Sequence, residues 1–379
     1  LKVRNGKIVD ALSVFFDERR RADIQVDCDG LILSPGFIDI QINGGFGVDF
    51  SSLTSSDEEY EQGVQLVSRK LLQYGVTSFA PTIISSAPEV YSRVLPLLAR
   101  RNGSAEGTGL LGAHVEGPFI SLDKRGCHPR QHVRDFGDDA VRSIEEVYGS
   151  TKNIAIVTLA PELQGSGSAI KYFCERGIIV SLGHSSAGMK DGERAVNLGA
   201  KCITHLFNAM QGYHHRDPFL IGLLTSKIME ACAIYYGIIS DGVHTHDSAL
   251  RIAHRTNPDG LILITDAIAA LGMGDGRHKL GDCIINVTHL NAVLEGTNTV
   301  AGSVASMPHC IAHLVKAVRC PLEEALVCAT EKPATLLGIQ ARKGVISLNA
   351  DADFVLISKD VDVHATFVSG KLAYAKRSQ

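Results

Sequence analysis

The sequence has no tryptophan, only 5 methionines, and 9 cysteines among which no C-x-x-C pair occurs. Without tryptophan it lacks the commonest platform for stacking sugars along an extended groove. An odd number of cysteines, in a chain of 379 residues that can bury a large core unaided, argues against a disulfide framework. Reduced thiols in a cytoplasmic protein are the expectation. Charge of one sign is missing too, since 37 lysines and arginines face 41 aspartates and glutamates. That balance makes no polyelectrolyte and has the wrong sign for a phosphate backbone, so no nucleic-acid partner is expected. No apolar run approaches the roughly 18 to 20 residues of a membrane span, the longest being about ten around 231–239, so no membrane partner is expected either. The chain opens Leu1-Lys2-Val3-Arg4 with neither an initiator methionine nor a secretory h-region. A trimmed N-terminus without a leader is the reading.

What is present is a recurrence of short β-branched runs separated by helical patterns, which signals βαβ units and a parallel sheet. Eight strands are expected at 36–42, 76–83, 110–116, 153–160, 177–183, 202–207, 231–239 and 261–267. Helices are expected at 58–74, 88–100, 140–148, 169–176, 189–198 and 247–254. Eight strands with crossover helices predict an α/β fold of the (β/α)8 TIM-like barrel type over residues 35–337. A doubly wound open sheet also fits the pattern. The chain ends, 1–34 and 338–379, both carry turn-punctuated strand patterns, and neither alone could bury a core. They are expected to pair into one small β-sandwich domain.

A barrel places its catalytic groups at the carboxyl ends of the strands, and the sequence obeys that rule. The third strand runs into His114-Val115-Glu116, the fifth into Gly183-His184, the sixth into Thr204-His205, the seventh into Asp241-Gly242-Val243-His244, and the eighth into Thr265-Asp266. Each has an ordinary reading alone: a strand-end histidine is commonly structural, and an aspartate can cap a helix. Together, Glu116, His184 and His205 supply two imidazoles and a carboxylate, the donor set of a catalytic divalent-metal site of zinc type. Iron, cobalt and manganese suit the same donors. Asp266 is the candidate proton acceptor for a metal-activated water, and His244 the candidate to polarise a carbonyl oxygen.

With these motifs in order, and with Pro35-Gly36-Phe37-Ile38-Asp39-Ile40-Gln41-Ile42-Asn43 and Asn208-Ala209-Met210 beside them, the chain resembles the amidohydrolase superfamily. Within it, the chain is similar to the family of sugar-phosphate deacetylases acting on N-acetylglucosamine 6-phosphate. Gln41 and Asn43 stand where most of the superfamily has His-x-His, a departure the deacetylase family shares. The resemblance therefore implies one metal ion per subunit, with Gln41 left as a candidate to help hold a weak second one. It also implies a homodimer acting on a small sugar phosphate in amino-sugar metabolism. Arg216 and His128 are then the phosphate contacts, although either could lie on an ordinary solvated loop. Cys127, Asn208, Ala209, Asp241, His244, Val300, Ala301 and Gly302 complete the implied substrate-binding set. A different amidohydrolase activity would keep the metal site without needing Arg216 and His128, and a non-catalytic scaffold would be expected to lose ligands.

Overall fold

The computed structural model describes residues 1–280, 283–297 and 300–376. The last three residues of the expected small domain, and the Cys283 side chain, lie outside the described part. Eight strands form the parallel sheet: β1 (Phe37–Ile42), β2 (Val76–Ile83), β3 (Ala113–Glu116), β4 (Ile154–Leu159), β5 (Ile179–Leu182), β6 (Cys202–Ile203), β7 (Tyr235–Ile239) and β8 (Leu261–Ile264). They pair in chain order from β1 to β8. β8 then returns beside β1, so that the barrel is nearly closed. Strands such as β8, Leu-Ile-Leu-Ile, are buried along their whole length, as a parallel strand covered on both faces must be.

The seam between β1 and β8 carries no strand ladder and is closed by residues at its carboxyl end. The Asp266 amide donates to the Gln41 carbonyl (2.9 Å) and the Asn43 amide to the Ala267 carbonyl (2.7 Å). Below them, buried Asp39 accepts from the Thr265 hydroxyl (2.5 Å) and from the Gln41 amide (3.3 Å). Burial pushes the Asp39 carboxyl up to about 7.

The outer helices are α1 (Asp57–Leu71), α2 (Pro88–Val94), α3 (Ala140–Tyr148), α4 (Ser166–Glu175), α5 (Met189–Asn197), α6 (Asp247–Thr256) and α7 (Met307–Val318). α1 begins where the Ser56 side chain accepts from the Glu59 amide, with three acidic residues in its first turn and Arg69 and Lys70 in its last. Both features suit the helix dipole. α2 is shorter than expected because Pro96 follows it, and the chain continues as the 3-10 turn Leu95–Leu98.

Several strands are shorter than their apolar runs suggest. The expected 202–207 shrinks to β6 and 261–267 to β8, because His205 (φ 28°), Phe207 (φ 78°) and Asp266 (φ 49°) leave extended geometry. The expected 231–239 begins only at Tyr235.

Both chain ends contribute to one antiparallel sheet, in which Ile32–Pro35 pairs with Phe354–Ile357, that strand with Val363–Val368, and that in turn with Lys371–Ala375. The N-terminal hairpin, Lys2–Arg4 with Lys7–Val9, lies against it. Ile8 of the hairpin is buried with Ala350, Ala352 and Phe354. Residues 10–31 do not continue the strand pattern; they hold the short π-helix Ser13–Asp17.

One feature was not expected from the sequence. After β8 the chain forms a three-stranded antiparallel sheet, Gly276–Leu280, Cys283–Thr288 and Asn291–Leu294. Its buried Ile285, Val287 and Ala292 pack with Ile268, Ala270 and Ala301, and Cys127 packs against the same cluster. It thereby covers one side of the barrel's carboxyl end.

Candidate active site

Three strand ends send their ligand atoms to one point. Glu116 Oε1 lies 3.0 Å from His184 Nε2 and 2.9 Å from His205 Nε2, and the two imidazole nitrogens are 3.0 Å apart. All three side chains are buried. His184 Nδ1 donates to the Lys124 carbonyl (2.8 Å), because a carbonyl can only accept. In the neutral ring, Nε2 is then a bare lone pair directed at a carboxylate oxygen. Acceptors packed against acceptors in a buried site need a cation between them, and the donor set is that of a divalent metal with an open position. The chemistry of the site thus fits the ion.

The electrostatics agree. Burial opposes charge on Glu116, but the two imidazoles bonded to it outweigh that and hold its carboxyl well below the usual range. Burial likewise disfavours the charged form of His205, yet the Glu116 carboxylate lifts its pKa above 6.5. His184 (φ 47°), His205 (φ 28°) and Asp266 (φ 49°) all sit in left-handed backbone. Such conformations cost non-glycine residues about 1–3 kcal/mol each and persist where the surroundings impose them. Here the turn off each strand swings the side chain inward over the barrel mouth.

Asp266 is clamped by two amides. Asn43 Nδ2 donates to its Oδ1 at 2.7 Å, and Gln41 Nε2 approaches the same atom at 3.4 Å while donating to Glu116 Oε1 at 3.0 Å. Gln41 therefore turns N–H groups, not lone pairs, toward the cluster. Burial first, and the Glu116 charge second, push the Asp266 carboxyl up to about 6. His244 is held through Nδ1 by Asp241 Oδ2 (2.6 Å), while Asp241 Oδ1 accepts from the Val243 and His244 amides (both 2.8 Å). Burial works against the charge on Asp241, but His244 keeps its carboxyl below 3.8.

The remaining expected residues divide into two groups. His128 is enclosed, not solvated: its ring lies 4.4 Å from that of His184, its Nδ1 pairs with the Ser85 hydroxyl (2.8 Å), and its ligand atoms come within 4.8 Å of those of Glu116 and His184. Burial pushes its pKa down to about 3, so the ring is neutral. Cys127 reaches Val300 through an Sγ–carbonyl hydrogen bond of 3.3 Å. Ala301 is buried, and Gly302 (φ 91°) leaves no room for a Cβ, which would stand 2.6 Å from Ile268 Cγ2. Asn208 Nδ2 is buried with no partner among the described residues. Ala209 (φ 50°) follows it, and its carbonyl accepts from the Ser185 amide. Arg216 and Val300 stand exposed, Arg216 on the loop after β6.

Sequence reasoning missed the clamp of Gln41 and Asn43 on Asp266, the Asp241 tether of His244, and Glu162. The Glu162 carboxylate accepts from the Ser185 hydroxyl (2.7 Å) and the Ser186 amide (2.6 Å), fixing the turn after His184. The Asp-x-x-His spacing was a usable signal for the tether, since an i,i+3 pair in a turn can meet. A second grouping of metal-type ligands, His254, Cys320 and Glu324, lies away from the barrel mouth and is partly exposed.

The Amidohydrolase family pattern matches residues 32–373. The chain is 63% identical over 374 residues to N-acetylglucosamine-6-phosphate deacetylase of Caenorhabditis elegans, covering 98% of this chain and 90% of the relative. It is 52% identical to the human protein of the same name, over 99% of this chain and 91% of the relative. Among solved structures, N-acetylglucosamine-6-phosphate deacetylase from Pasteurella multocida superposes with a TM-score of 0.85 at 29% identity, over 99% of this chain and 94% of that one.

Proposed function

The chain belongs to the amidohydrolase family, and from that membership we propose that it hydrolyses N-acetyl-D-glucosamine 6-phosphate to D-glucosamine 6-phosphate and acetate. The observation that carries the reading is the convergence of Glu116, His184 and His205 on one point with Asp266 clamped beside them. The names of relatives up to 63% identical support the substrate.

Glu116, His184 and His205 would hold one divalent ion, zinc by preference with iron, cobalt or manganese as alternatives, which when bound supplies a Lewis acid that brings the pKa of water toward about 7. Asp266 takes the proton of the attacking water and returns it to the departing nitrogen. Asn43 fixes Oδ1, so the proton is handled at Oδ2, and a carboxyl near 6 is basic at neutral pH yet able to give the proton back. His244 donates from Nε2 to the acetyl oxygen as charge builds there, with Asp241 as its counter-charge. Asn208, whose buried amide donor lacks a partner, suits a sugar hydroxyl. Cys127, Ala209, Val300, Ala301 and Gly302 line the sugar. Arg216 offers two parallel donors to the phosphate, and His128 adds a neutral one. In this reading residues 35–337 are the catalytic unit, and 1–34 with 338–379 the small one. The reading extends to a cytoplasmic homodimer, and the absence of disulfides among the described cysteines suits a reducing compartment.

The test is acetate release from N-acetylglucosamine 6-phosphate, with and without added divalent metal, beside the unphosphorylated sugar. Metal-dependent release confined to the phosphorylated sugar is expected. Asp266→Asn should lower kcat by on the order of 100-fold or more while metal content is kept. Near-normal turnover in that variant would remove Asp266 from the mechanism.

A further inference from the structure

At the amino end of the barrel strands, opposite the mouth that carries Glu116, lies a cavity of about 400 Å³ lined by Arg100, Arg101, Arg342 and Lys343. Its position follows from the chain path. Ser78 is the third residue of β2, Arg100 to Asn102 precede β3, and Arg342 and Lys343 lead from the last helix of the barrel into the small sheet. The cavity therefore sits where the barrel floor meets the sheet built from both chain ends.

Its charge is unbalanced. Arg342 pairs with Asp351 (3.0 Å), and Lys343 with Asp353 (2.6 Å) and Asp351 (3.2 Å). Asp351 is also shared with Lys7, so three cations already share these two carboxylates, and Arg100 and Arg101 stand beside them. A surplus of at least two positive charges remains on this wall. Arg100 and Arg101 are exposed and form no ion pair among the described residues.

A second observation is independent of charge. Ser78 lines the same cavity, is fully buried, and its hydroxyl has no hydrogen-bond partner among the described residues. A buried hydroxyl left unsatisfied is costly, and this one belongs to a residue in the wall of the basic cavity. The volume falls in the range of small-molecule sites, and guanidinium groups match phosphate geometry.

We propose that this cavity is a second anion site, taking a phosphate dianion either free or as the phosphoryl group of a small metabolite. Two negative charges match the surplus. Occupancy ties the segment 100–102 to 342–343, which already touch through Arg342 Nη2 and Asn102 Oδ1 at 3.3 Å.

The experiment uses the metal-loaded enzyme carrying Arg216→Gln, which removes the proposed phosphate anchor of the catalytic mouth. Its melting temperature is followed against sodium phosphate, against sodium chloride at equal ionic strength, and against glucosamine 6-phosphate. Phosphate should raise it saturably and chloride should not. Adding Arg100→Gln and Arg101→Gln, both exposed and outside the core, should move the midpoint of that rise to at least about tenfold higher phosphate, as loss of charge-assisted bonds implies. A lower midpoint for glucosamine 6-phosphate than for phosphate makes the sugar phosphate the occupant only where Arg100→Gln and Arg101→Gln raise it as they raise that of phosphate; a midpoint those two changes leave in place belongs to the catalytic mouth. The proposal is overturned if chloride gives the same rise, if Arg216→Gln abolishes the response by itself, or if the triple variant keeps the midpoint. None of these readouts depends on acetate release, so failure here leaves the deacetylase reading standing.

Discussion

The Asp241 carboxylate accepts three hydrogen bonds, and all of them come from the turn that carries His244. Its carboxylate is thus occupied in orienting an imidazole, although the family resemblance put Asp241 among the substrate contacts. Replacing it by Asn keeps the size but removes the counter-charge behind the donor. Asp241→Asn is therefore expected to lower kcat by on the order of 100-fold while KM changes little and metal content stays the same. A variant whose KM rises with kcat unchanged would return Asp241 to substrate binding. The identity of the ligands and of Asp266 was legible because each ends an apolar run, where a polar residue has no packing reason to be. The tether was not, because side-chain direction depends on the turn at Gly242 (φ 80°), which strand periodicity does not encode. His128 shows the same limit: its loop reads as polar sequence, and only the fold encloses it against His184.

At the scale of elements, barrel strands were legible because continuous aliphatic runs such as Leu261 to Ile264 have one explanation, burial on both faces. The three-stranded sheet over the mouth was not. Gly276 to Leu294 mixes His, Lys, Asn and Thr with scattered aliphatics, and among the described residues Ile285, Val287 and Ala292 are buried in the cluster beneath it, with Leu294 packed against them. In the small sheet, the join to the N-terminal hairpin adds to the burial of Ile8 and its backbone hydrogen bonds a charged contact at Asp351, which meets Lys7, Arg342 and Lys343. Burial alone would raise its pKa, but the Lys7 hydrogen bond, the charge of Lys343 and the Arg342 hydrogen bond hold it below 3.8. A folded value below the unfolded one contributes stability that is complete above about pH 4 and lost as pH falls through the lowered value. Asp351→Asn should melt below the parent at neutral pH, with the gap closing as pH falls below about 4. A gap independent of pH, measured by thermal melting across that range, would show that the charge of Asp351 does not contribute.

For the molecule as a whole, the proposed ion is held by side chains from β3, β5 and β6, so its removal loosens three strand ends at once. A ligand that binds only the folded form raises stability by mass action. Treatment with a chelator is expected to lower the melting temperature by several degrees and to abolish acetate release, with both restored by a divalent ion. Recovery of stability with an ion while activity stays absent would separate the structural part of the site from its chemistry.

The seam between β1 and β8 has a consequence for how the enzyme comes into being. The groups that close the barrel, Gln41, Asn43 and Asp266, are the same groups that set the proton acceptor beside Glu116. A chain whose first and last barrel strands have not yet met has neither a finished cylinder nor a positioned base. Activity should then arrive in a single step with ring closure, so that no half-assembled form works at half speed.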